Sequence, residues 1–176
     1  MKLLKLLGLA TLVASSAVSS AAAPAAAPAP VAVITVGHVN AVTSLMAAMQ
    51  MEKMMRSITG ASRYATEEQR KAAYAKLEKV PPAQIYARLA YPLARTISAE
   101  TANEMTRFYT SSYGKKVVYQ MYNTAATYGE PPPPAATADE RKAMQRPEFI
   151  KARKALADAD ATIRHEGFVL LQSIAK

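Results

Sequence analysis

Five of the nine methionines fall between Met46 and Met55, and they are the first side chains here that could do chemistry. Met46 and Met49, then Met51 and Met54, are pairs one helical turn apart. Thioethers at that spacing share a helix face, and soft sulfur suits Cu(I). The two pairs point to different faces of one helix, which argues against a single closed copper site. Methionine also fills irregular cores and adaptable grooves. A Cu(I) site on Met46, Met49, Met51 and Met54 therefore stands as an alternative to packing, and no resident cofactor is expected.

Carboxylates come next. Glu100 and Glu104 sit one turn apart and could hold a proton or a metal between them, the chemistry of an enzyme acting on envelope polymers. The plainer reading is a pair of solvated side chains that complement the positive end of a helix. His165 and Glu166 are neighbours, but adjacent helical residues point about 100° apart and cannot form a hydrogen-bonded dyad. The chain has two His, no Cys and no Gly-rich phosphate loop. Nothing marks a nucleophile with its base and orienting acid, so a non-enzymatic protein is expected. Ser112, Gly114, Lys115 and Lys116 offer one further option. At a helix start their backbone N–H groups and ammonium groups could take an anion, or the same residues could simply form a packed corner.

The elements that must position these residues are nearly all helical. Apolar spacing predicts a first helix from Asn40 to Thr59, closed by Gly60. Val42, Leu45, Met46 and Met49 share one face, with Met51, Met54, Met55 and Ile58 roughly opposite. A helix apolar on two sides lies central in a bundle or leaves one side open. The second set is the expected groove for a protein or envelope partner. Thr66 and Gln69 have capping-box spacing before a second helix that stops at Pro81 and Pro82. A third helix follows from Ala83 to Thr96, with Pro92 expected to kink or split it. Ser98 opens a fourth, whose core side is Ala102, Met105, Phe108 and Tyr109. A fifth turns Val117, Val118, Met121 and Tyr122 inward and ends near Tyr128 and Gly129. Pro131 to Pro134 reads as a stiff connection. Thr137 and Glu140 cap a short helix. From Pro147, the stripe Phe149, Ala152, Leu156, Ala159, Ile163, Gly167 and Leu170 predicts one long last helix, packed within the chain or against a second copy. The β-branched run from Val31 to Val36 could be a strand, although no partner strand is evident. The expected architecture is all-α, a bundle of about six helices.

At the N-terminus Lys2 and Lys5 precede an apolar run from Leu6 to Val13 and small residues to Ala23, the order of a secretory signal peptide. Its apolar core falls short of the about 20 residues that span a bilayer. Residues 1–22 are read as the leader, 23–37 as an Ala/Pro spacer and lead-in, and 38–176 as one helical domain. The expected address is periplasmic or secreted, with no transmembrane segment after cleavage. The full chain carries a net charge of +9, and without Lys2 and Lys5 it keeps 20 basic against 13 acidic side chains. Such a surface favours anionic neighbours. No run of like charge exceeds two, so no nucleic-acid partner is expected.

Residues 97–121, ISAETANEMTRFYTSSYGKKVVYQM, resemble a bacterial secreted family known as domain of unknown function 2059. That family carries Phe-Tyr-x-Ser-Pro-x-Gly-x-Lys between two apolar helices. Phe108, Tyr109, Ser111, Gly114 and Lys116 stand at the matching positions, and Ser112 replaces the usual proline. The likeness extends loosely over residues 40–129 and leaves 135–176 as a helical addition. It implies an all-helical fold and a periplasmic address, and it implies no activity.

Overall fold

The computed structural model describes residues 33–123 and 134–175. The segment read as a leader, most of the expected spacer, the expected end of the fifth helix near Gly129 and residues 131–133 of the proline run lie outside the described residues. Among those described there are nine helices and no strand.

Capping decides where several of the helices begin. Thr35 accepts the His38 N–H at 3.2 Å and opens α1 (Val36–Ala48), four residues ahead of the expected Asn40. Val36, expected in a strand or lead-in, is thus already helical. The expected single helix to Thr59 does not form. The chain turns at Gln50, whose φ of 53° is left-handed, and restarts as α2 (Met51–Ala61). The two apolar faces read on one helix therefore belong to two helices, each apolar on one side. Thr66 accepts the Gln69 N–H and opens α3 (Glu67–Glu78), with Gln69 returning to the Ala65 N–H. Pro82 is the first residue of α4 (Pro82–Leu93), a position where its missing N–H costs nothing. Pro92 lies in the last turn and the helix ends one residue later.

Ser98 caps α5 (Ala99–Thr110) through the Thr101 N–H. Ser111 then makes the corner into α6 (Ser112–Asn123). Its hydroxyl donates to the Phe108 carbonyl and accepts the Gly114 N–H at 3.0 Å. A Cβ on Gly114 would fall 1.9 Å from the Phe108 carbonyl oxygen, so only glycine lets the two helices meet this closely. The Phe108 ring sits 4.9 Å from that of Phe149 and 5.1 Å from that of Tyr109, centre to centre. Met121 corrects the sequence reading: it is half exposed rather than inward.

Thr137 and Glu140 form the expected capping box before α7 (Ala138–Met144). The predicted long last helix is broken at Ala159 into α8 (Pro147–Asp158) and α9 (Asp160–Ala175). Its apolar stripe is nevertheless buried from Phe149 through Leu170. α8 lies on α5 while α9 reaches α2, α3 and α4, so the seam is covered within the chain. α1 packs between α4 and α5 at the centre. Val42, Leu45, Leu89, Leu93 and Met105 are buried there with Phe149 and Ile163 in one core, and each such side chain contributes about 1.5–3 kcal/mol of apolar burial. Residues 135–176, read as an addition to the matching region, are thus integral to that core. No helix among the described residues is long and apolar enough to cross a membrane.

Candidate binding cleft

The groove expected on Met51, Met54, Met55 and Ile58 is filled. Met51 and Met55 are fully buried, and Met54 and Ile58 are half-buried. The covering element is α9. A Cβ on Gly167 would lie 2.7 Å from Ile58 Cδ1 and 3.4 Å from Met55 Sδ. The error follows from taking α1 and α2 as one rod, which left a second apolar face with no neighbour assigned. The Met46, Met49, Met51 and Met54 set meets the same fate. Three of these side chains are core packing and Met54 stands at its rim. Among the described residues, no group of three or more His, Cys, Asp or Glu could hold a metal ion.

At Ser112, Gly114, Lys115 and Lys116, the corner reading prevails over the anion reading. The Gly114 N–H, which an anion would need, is taken by Ser111, and the glycine itself is buried. Lys115 and Lys116 are exposed and line a separate depression with Tyr119.

Glu100 and Glu104 part company. Glu100 is exposed, and its carboxyl is held below the usual range by its own backbone N–H at the helix start, then by Ser98. Glu104 is buried at the α5–α8 contact. One of its oxygens accepts from Arg107 and the other from Arg146. With both oxygens held by guanidinium groups, the Glu104 carboxyl is anchored in place as an acceptor. The cleft around it, about 580 Å³, also takes in Glu100, Glu148 and Lys151. Three carboxylates there face three cations.

Sequence reasoning missed a second cleft, of about 490 Å³, between α2, α6 and α9. Lys53 and Arg56 enter it from α2, Arg164 from α9, and Tyr122 and Met121 from α6, with Met54 beside them. No carboxylate is among its lining residues. The Lys53 ammonium lies 5.8 Å from the centre of the Tyr122 ring, a cation–π contact. Arg56 meets Glu78 only at 3.6 Å, with both side chains exposed. Arg164 Nε donates to Asp160 at 2.7 Å, one turn back on its own helix, and its guanidinium pKa is raised by that bond. The Tyr122 phenol is pushed up to about 12, mainly by burial, and stays a neutral donor to the Met49 carbonyl at 3.1 Å. That carbonyl immediately precedes the left-handed Gln50, whose side-chain oxygen is buried without a partner. Nearby Glu52 accepts from Tyr86 at 2.5 Å. The only hint in the sequence was the turn-spaced Lys53 and Arg56. Arg164 joins them only because α9 folds back onto α2.

No protein-family model matches this chain, no curated protein matches it, and no solved structure matches it.

Proposed function

We propose that this chain is a secreted or periplasmic, non-catalytic helical module that binds an anionic protein or envelope component through the α2–α6–α9 cleft. One observation carries the reading: Lys53, Arg56 and Arg164 converge on a cleft to which no carboxylate contributes. Unlike-sign partners outside the lining satisfy Arg164 and weakly satisfy Arg56, but the opening itself is cationic. Without Lys2 and Lys5, the 20 basic against 13 acidic side chains add a long-range attraction for anions. The leader pattern of residues 1–22 supports the address, and the likeness of residues 97–121 to the secreted family of domain 2059 agrees with it. The enzyme alternative draws nothing from Glu104, whose oxygens are both occupied.

The test is capture of separated envelope fractions (lipid, polysaccharide and protein) by immobilised wild-type chain and by Lys53→Glu with Arg164→Glu. Loss of capture by a variant with an unchanged circular dichroism spectrum is the expected result. Equal capture by that variant counts against the cleft.

A further inference from the structure

Two of the three cations that line the α2–α6–α9 cleft are held in place before any ligand arrives. Arg164 is tied at Nε, which donates to Asp160 Oδ2 at 2.7 Å, one turn back on α9. Asp160 itself is not among the lining residues. Neither η-nitrogen of Arg164 has a hydrogen-bond partner among the described residues. A guanidinium gripped at Nε keeps its end-on pair of N–H donors, and that pair matches two oxygens of one carboxylate or phosphate. Lys53 makes no ion pair among the described residues, and its ammonium rests on the Tyr122 ring. That ring is fixed at its far end, where the hydroxyl donates to the Met49 carbonyl at 3.1 Å. The Arg164 charge reaches the same phenol, so one anchored ring lies beside both cations. Long basic side chains lose rotamer freedom on binding, and ordering them in advance lowers that cost.

We propose that Asp160 and Tyr122 are positioning residues of this cleft, Asp160 aiming Arg164 and Tyr122 steadying Lys53, so that the two cations close on one oxyanion group, a carboxylate or a phosphate. This rests on the cleft reading above and adds how the cleft is set for its ligand. Asp160 is the informative residue, because its two effects have opposite signs. As a nearby negative charge it repels an anion. As a clamp on Arg164 it strengthens the grip.

Isothermal titration of the purified chain with pyrophosphate and with citrate, at matched ionic strength, tests the proposal. One probe carries phosphate oxygens and the other carboxylate oxygens, and the tighter of the two names the group. Lys53→Gln with Arg164→Gln should weaken that probe about tenfold or more. Asp160→Asn should weaken it about twofold, and Asp160→Glu, which keeps a carboxylate one turn before Arg164, should recover it. On top of Arg164→Gln, the same Asp160→Asn change should instead strengthen binding, since only the repulsion is left to remove. Tyr122→Leu should weaken binding about two- to fivefold, and should add no loss on top of Lys53→Gln. A merely structural role would carry the same loss into both backgrounds. Stronger binding by Asp160→Asn alone, or a Tyr122→Leu loss undiminished by Lys53→Gln, would overturn the positioning roles and leave the cleft standing if Lys53 and Arg164 are still required. Failure of both probes to bind, or binding indifferent to Lys53 and Arg164, would overturn the oxyanion grip. Envelope capture by the Lys53→Glu, Arg164→Glu variant then decides the cleft separately.

Discussion

Two clefts of similar size use the same residue types to opposite ends. Between α5 and α8, Glu100, Glu104 and Glu148 face Arg107, Arg146 and Lys151, and the central carboxylate is buried with both oxygens bonded. Between α2, α6 and α9 the lining charges are all of one sign. The first cleft has satisfied itself and is structural: Arg146 stands where α7 gives way to α8, and its bond to Glu104 ties that junction to α5. In the second, the carboxylates that pair with Arg164 and Arg56, Asp160 and Glu78, stand outside the lining. Each lining holds three cations, and it is the carboxylates among them that separate a fastening from a binding site.

The corner at Gly114 bears on both clefts, since α5 walls one and α6 the other. Gly114→Ala would drive a methyl group into the Phe108 carbonyl, a backbone atom that cannot yield cheaply. A loss of about 3 kcal/mol or more is expected in urea unfolding, together with loss of envelope capture. A variant of wild-type stability would show that the corner does not set the helix crossing. Glu104→Gln acts on the balanced cleft alone. It leaves two guanidinium groups facing a neutral amide. The expected cost is about 2 kcal/mol, below the about 3–5 of fully buried pairs because Arg107 and Arg146 both reach water. Envelope capture by the folded fraction should be unchanged.

What the sequence made legible is local. Thr66, Ser98 and the Thr137–Glu140 box start their helices as their spacing requires, because a cap depends on residues three positions apart. The buried stripe from Phe149 to Leu170 was legible for the same reason. The breaks at Gln50 and Ala159 were not. Neither residue is glycine or proline, and each separates helices that pack on different neighbours. The cationic cleft was hidden for a related reason: its cations come from α2 and α9, far apart in sequence, and α6 closes it. Glu104 was singled out, but its partner Arg146 came into reach only through the α5–α8 contact.

Near the cationic cleft, two smaller effects sharpen the contrast. Gln50 pays the strain of a left-handed backbone and buries an unpartnered oxygen, beside the carbonyl that holds Tyr122. Gln50→Gly should stabilise the chain by about 1 kcal/mol, the relief outweighing the added freedom of glycine in the unfolded state. Destabilisation would mean that the side chain does more than fill space. The second effect is alkaline. Tyr122 has its folded pKa raised from 10.0 to about 12, so its contribution is intact below pH 10 and is lost as pH climbs through that interval. The unfolded chain gives up the proton first there, and the native state is penalised. Burial is incomplete, so the loss is about 1 kcal/mol, and Tyr122→Phe should flatten the fall in stability between those pH values.

The smallest effect on stability decides the comparison. Lys53→Ala with Arg164→Ala removes two cations, the same number that pair with Glu104 in the other cleft. Lys53 contacts only a ring face, and Arg164 pairs with an exposed carboxylate on its own helix, an interaction that contributes about 0.3–0.5 kcal/mol. Unfolding free energy should therefore shift by no more than about 0.5 kcal/mol in either direction, measured in urea at moderate salt. A gain in stability would be the more telling outcome, because it would mean that Lys53, Arg56 and Arg164 repel one another by more than Asp160 and Glu78 offset, and a site kept at that cost is kept for what it binds. A loss as large as that of Glu104→Gln would place these cations among the fastenings and remove the ground for reading the cleft as a binding site.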